Sequence, residues 1–196
     1  MRVALPLEPP SVGERLPSLA LATEGADRPA PLMPEQVLAI LALSYRTVGT
    51  WKPVGSAGKL WPLVIHVLIP RIDNFSLHWF DPNGPSLQMV AGVVPTAPLA
   101  ALFLQSELGS ESVARKRPII VVSVDLSRIG PKYGNRGALY ALLEAGALGH
   151  QIALSAGSRG VVVRTVCGFE TEDARELLAI DVDPLMLVLL EREGDR

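Results

Sequence analysis

The 196-residue sequence contains a single cysteine, Cys167. One thiol excludes an internal disulfide and any zinc site that needs several cysteines. Long hydrophobic runs are missing as well, because proline, glycine or a charged residue interrupts every stretch before eighteen apolar residues accumulate. A membrane-spanning helix needs about twenty, so none is expected. Positive charge is scarce: the formal net charge is −2, with no basic patch and no interleaving of basic and aromatic residues. Sequence-independent nucleic-acid binding depends on such charge and is excluded. His66, His78 and His150 are the only histidines and show no paired ligand spacing, so neither a metal site nor a Ser-His-Asp triad is indicated. The N-terminal residues lack the apolar core of a secretory signal, which makes the cytoplasm the expected location.

What is present is apolar. Hydrophobic residues make up 48% of the chain and charged residues 19%, enough for one domain with a sizeable core. The surplus is expected to be buried between subunits. Residues 1–33 carry six of the seventeen prolines and no sustained period, and read as an extended arm before a domain at 34–196. A helix is expected from Pro34 to Ser44, with proline in its first turn and Glu35 near the positive end of the dipole. Strands are expected at Leu63–Ile69, Ser76–Phe80 and Leu87–Val90, the last two joined by an Asp81–Pro85 turn. Further strands fit Pro118–Val124, Val161–Val166 and Leu185–Leu190. Helices fit Pro98–Leu108, about Asn135–Ser158, and Thr171–Leu178 with a hydroxyl cap at Thr171. The elements intermix without a strict βαβ rhythm, which points to an α+β sheet flanked by helices.

Gly55-Ser56-Ala57-Gly58-Lys59 invites a phosphate-loop reading that fails, since Pro53 replaces the first glycine and Leu60 the metal-binding hydroxyl. Small residues there instead allow backbone to lie close to a flat ligand. Lys132 and Tyr133, before the long helix, put an ammonium and a phenol at its entrance, and burial can turn such an amine into a base near neutral pH. His66 reads as a satisfied core histidine, Trp51 and Trp61 as packing residues, and Arg115-Lys116-Arg117 as a solvated turn.

Residues 132–146, Lys-Tyr-Gly-x-Arg-Gly-x-x-Tyr-x-Leu-Leu-Glu-Ala-Gly, resemble the central signature of the azoline dehydrogenases (the SagB type) of the FMN-dependent nitroreductase superfamily. Pro53–Leu63 resembles that family's Pro-Ser-Ala-Gly-Ala-Leu-Tyr-Pro-Leu segment, and Val166–Glu170 its Gly-Gly-Phe turn. The resemblance implies a dimeric nitroreductase-like fold with a mixed or antiparallel central sheet and a flavin site between subunits. It implies an FMN-dependent oxidoreductase that converts thiazolines or oxazolines of a precursor peptide to azoles, alongside a cyclodehydratase. Lys132, as base, and Tyr133 would act on the ring. Ser56, Ala57, Gly58, Lys59, Arg136, Gln151 and Gly168 occupy cofactor-side motif positions. The relatives' Arg-Arg-Ser-x-Arg phosphate clamp is replaced by Ala22–Arg28, and their helix histidine by Ala147. Arg46 and Arg164, with Arg28, Arg159 and Lys52, are the cations left to hold a phosphate. The departures keep open a flavin-poor scaffold subunit; a general flavin nitroreductase is the third reading.

Overall fold

The computed structural model describes residues 2–4, 32–103 and 107–192. Its centre is a seven-stranded antiparallel sheet in the order β1-β4-β3-β2-β5-β7-β6. The strands are β1 (Arg2–Ala4), β2 (Leu63–Pro70), β3 (Asn74–Asp81), β4 (Ser86–Pro95), β5 (Ile119–Val124), β6 (Val161–Val166) and β7 (Asp183–Arg192). The helices are α1 (Pro34–Tyr45), α2 (Thr96–Ala101), α3 (Glu107–Ala114), α4 (Leu126–Tyr133), α5 (Arg136–Gly157) and α6 (Thr171–Leu178). The expected α+β class is therefore the observed one, and the sheet is wholly antiparallel. β1 falls within the stretch read as an arm; the Ala22–Arg28 segment lies outside the described residues, as does Arg28.

The apolar runs of β2 and β5 are continuous because both faces of these central strands are covered. Leu63, Ile65, Val67, Ile120, Val122 and Val124 pack with α1 and α5 residues in one core, while Leu68, Ile119 and Val121 join Leu99, Phe103, Val113 and Leu178 in the other. Helix α5 lies on the first core through Ala141, Ala145, Leu148, Ile152 and Ala156, spaced by three and four residues. Gly149 permits close contact with the sheet, since a Cβ there would sit 3.2 Å from Met186 Cε. The opposite side of the same helix exposes Leu139, Leu142, Leu143 and Leu154, each more than half accessible. An α-helix that is apolar on both sides has an uncovered face in the single chain.

Four local expectations are corrected. The single helix at Pro98–Leu108 is two, α2 and α3: α2 starts directly after the extended Pro95, with Pro98 in its first turn where a missing N–H costs nothing. Thr171 opens α6, but Glu170 holds the cap position without a side-chain hydrogen bond. Trp51 is exposed rather than packed. The basic triplet is not a freely solvated turn: Arg117 is buried, Lys116 Nζ donates to Thr96 Oγ1 and faces the Phe75 ring, and Arg115 pairs with Glu111. His66 is a core residue, yet its Nδ1 has no partner among the described residues. Burial pushes its pKa down to about 4, opposed by Asp181, so it is neutral.

Ile152 is fully buried between α5 and the sheet. Ile152→Ala should cost about 2–5 kcal/mol in denaturant unfolding.

Candidate functional site

Two segments far apart in sequence meet at Gly58. Its φ of +61° lies in the left-handed region that glycine tolerates without strain. A Cβ at this position would stand 2.7 Å from Lys132 Nζ and 2.8 Å from Tyr133 Oη. An ammonium and a phenol thus converge over bare backbone. Lys59 and Trp61, with φ of +56° and +50°, share this conformation, at a cost of about 1–3 kcal/mol for each such residue. The turn Ala57–Lys59 is tied back by Trp61 N–H, which donates to Ser56 Oγ at 3.0 Å.

Lys132 and Tyr133 close α4 rather than open α5. Asp125 starts α4 by accepting from Ser127 N–H at 3.0 Å and pairing with Arg128 at 2.9 Å. Gly134, with φ +54°, ends it by donating to the Gly130 carbonyl at 2.8 Å. Tyr133 packs edge-on against Tyr140 of α5, ring centroids 5.1 Å apart. Lys132 is exposed in the single chain, so the burial expected for it is not found there.

The buried lysine is Lys52, 6% exposed. Its Nζ lies 3.8 Å from the Tyr45 ring centroid and 5.0 Å from that of Trp61. Desolvation pulls its pKa down to about 8, with Glu144 opposing and Arg128 reinforcing the shift. Tyr45 Oη donates to Glu144 Oε1 at 2.9 Å inside the core. Burial, and then the Glu144 carboxylate, push the Tyr45 phenol far up, so it remains a donor. Burial also raises Glu144, against Ser56, Tyr45 and Lys52, which favour its charged form. Gly55, Ser56, Ala57, Tyr140, Leu143 and Glu144 bound a cleft of about 220 Å³ between the loop and α5.

Of the residues marked in the sequence, Gly58 is thus brought to Lys132 and Tyr133; Ser56, Ala57 and Lys59 belong to the same loop, and Arg136 opens α5 three residues after Tyr133. Arg46 is half-buried at the end of α1. Arg46, Lys59, Lys132 and Arg136 make no ion pair with another described residue. Gln151 is half-buried further along α5, its carbonyl accepting from Ser44 Oγ at 3.4 Å. Arg159, just beyond the end of α5, donates to the Ser155 carbonyl at 3.1 Å. Arg164 pairs with Glu191 at 3.0 Å. It stands in register with Leu189, Ile119 and Leu68, toward the end of the sheet away from Leu63 and Gly58. Gly168 lines a different cleft of about 230 Å³ with Ala101, Leu102, Cys167 and Phe169. Within one chain the marked residues therefore form separate groups. The sequence reading passed over Tyr45 and Glu144; the available signal was a carboxylate inside the otherwise apolar stripe Ala141, Ala145, Leu148.

Comparison with known proteins places this geometry. A family model described as Nitroreductase family matches residues 28–190. A protein of Methanocaldococcus jannaschii bearing the nitroreductase name is 25% identical over 168 residues, 84% of this chain and 83% of its own. A nitroreductase structure from Anabaena variabilis superposes with a TM-score of 0.69 at 20% identity; it covers 81% of this chain, which spans only 34% of that longer one. A chain of the E. coli microcin synthetase McbBCD complex with truncated pro-MccB17 bound gives a TM-score of 0.70 at 19% identity over 97% of this chain and 78% of its own. A nitroreductase in complex with FMN from Exiguobacterium sibiricum gives 0.58 at 14% identity, over 84% of this chain and 81% of its own.

The buried lysine makes a pH prediction with a definite sign. Between about pH 8 and 10.5 the unfolded chain keeps the proton that folded Lys52 has lost, so folding stability rises with pH in that window. The slope attributable to Lys52 approaches about 1.4 kcal/mol per pH unit at most. Denaturation midpoints across this range should show the rise in the wild type and not in Lys52→Met.

Proposed function

The chain belongs to the nitroreductase family, and on that premise we propose that it is an FMN-dependent dehydrogenase that oxidises thiazolines or oxazolines to azoles in a ribosomally made peptide. The observation that carries this reading is the meeting of Lys132 Nζ and Tyr133 Oη over Gly58. An azoline becomes an azole by losing two hydrogens, one of them an acidic proton on the ring Cα. A base and a hydrogen-bonding phenol held side by side are the groups such a step needs. A chain of similar fold in a synthetase complex holding a truncated pro-peptide supports a peptide substrate and partner proteins of the cyclodehydratase kind.

The residues fit an FMN group. Having no side chain, Gly58 leaves room that Lys132 Nζ and Tyr133 Oη now occupy, Gly55 is exposed on the same loop, and Lys59, Arg136 and Arg46 are cations free of ion pairs with other described residues. They would hold a phosphate and offset negative charge on a reduced ring. Bound FMN supplies the two-electron acceptor that the oxidation requires. Lys132 then takes the Cα proton, and Tyr133, braced by Tyr140, orients the ring by donating from its hydroxyl. Because Lys132 is exposed, water has to be excluded by substrate or by a second copy of the chain. The uncovered leucines of α5 make a homodimer through that helix the natural cover.

The reading is tested by incubating the protein with FMN and an azoline peptide and weighing the product. Loss of two hydrogens per ring supports it; an unchanged peptide in the presence of bound flavin refutes it. Lys132→Ala should lower kcat by about 10²–10⁴ while FMN occupancy stays unchanged. Light scattering should report a dimer for the wild type and a monomer for the double substitution Leu142→Glu, Leu143→Glu. A stable flavin-loaded wild-type monomer would count against the interface.

A further inference from the structure

Glu144 is the most deeply buried carboxylate in the described structure, at 3% exposure, and its surroundings do not explain it as a packing residue. Its Oε1 is held by Tyr45 Oη and Ser56 favours its charged form, but its Oε2 makes no hydrogen bond of ordinary geometry with a described residue. Lys52 is close enough to be felt, yet no ion pair forms. A leucine at this point of the stripe Ala141, Ala145, Leu148 would avoid a half-satisfied buried carboxyl, an expensive arrangement.

What Glu144 does have is position. It shares a cleft with Gly55, Ser56 and Ala57, the loop that leads to Gly58, and with Tyr140, one turn earlier on α5. Tyr140 in turn packs edge-on against Tyr133, ring centroids 5.1 Å apart. Tyr133 Oη and Lys132 Nζ meet over Gly58. The shared cleft, the approach to Gly58 and the stacked tyrosines thus link Glu144 with the loop, the Lys132–Tyr133 pair and Tyr140. We infer that Glu144 is a positioning residue for Lys132 and Tyr133, acting through the Gly55–Gly58 loop and through Tyr140. As a statement about catalysis it rests on the dehydrogenase reading; as a statement about coupling it stands apart from it.

The polar groups facing Glu144 are Tyr45 from α1, and Lys52 and Ser56 from the loop; Arg128 of α4 acts on Tyr45 and Lys52. Tyr133 packs on Tyr140 and its hydroxyl approaches Gly58, so its signal reports on the loop and on Tyr140. The sequence holds only three tyrosines, Tyr45, Tyr133 and Tyr140. Labelling them with ¹³C at Cζ gives three assignable signals in the protein without added ligand. Acidification should move the Tyr45 and Tyr133 signals with a common midpoint above the ordinary carboxyl range. Glu144→Gln, nearly isosteric, should abolish both steps while circular dichroism and Tm stay close to wild type. A Tyr133 signal that ignores the Glu144 titration, or moves equally in Glu144→Gln, overturns the coupling. With an azoline peptide, Glu144→Gln should lower kcat by about 10²-fold at unchanged KM, the effect of misplacing reacting groups by about an ångström; an unchanged kcat overturns the positioning role. If no azoline is oxidised by the wild type, the dehydrogenase reading fails and the tyrosine signals still decide the coupling.

Discussion

The approach of two polar side chains to a glycine without a side chain of its own is the constraint around which the site is arranged. At Gly58 a single methyl group would occupy the space into which Lys132 and Tyr133 reach. The loop delivering Gly58 is held in a left-handed conformation at neighbouring non-glycine residues too. Such strain persists only where the surroundings over-determine it. Those surroundings are visible: Ser56 is bonded to Trp61, and Trp61 lies near the Lys52 ammonium that also faces Tyr45. Tyr45 is anchored in turn on Glu144 of α5. The loop is fixed from behind by a buried polar cluster and faces Lys132 and Tyr133 in front.

Helix α5 joins the two roles of the chain. Its inner face of alanines, with Leu148 and Ile152, lies against the sheet. Its N-terminal half presents Tyr140 and Glu144 to the loop, and its outer face leaves four leucines uncovered. Stability, site construction and the expected contact with a second copy thus depend on three sides of one helix.

The sequence was informative where one local signal decides the structure. The β-branched run Val161–Val166 is β6 at the residues expected, and Thr171–Leu178 is α6. The continuous apolar runs at β2 and β5 are central strands because nothing but burial on both faces accounts for them. Helix α4 was hidden, since Gly130-Pro131 looks like a break; the Asp125 cap was the overlooked sign of it. Lys132 and Tyr133 were legible as a motif, but their meeting with Gly58 depends on a fold that brings α4 against the loop before β2. Lys52 gave no sign of burial, because burial of a charge is set by tertiary packing, and Glu144 showed only as a carboxylate within an apolar stripe. Arg164, plausible as a phosphate partner on charge alone, is already paired with Glu191 at the far side of the sheet.

The central claim is that the Gly55–Gly58 loop with Lys132 and Tyr133 forms the face against which the flavin and the substrate ring are held. A crystal structure of the protein grown with FMN tests this most directly. The account predicts the flavin ring lying along that loop, with Lys132 Nζ and Tyr133 Oη turned toward it and no side chain between ring and backbone at Gly58. A flavin seated elsewhere, with the lysine and tyrosine still closed over Gly58, would contradict it.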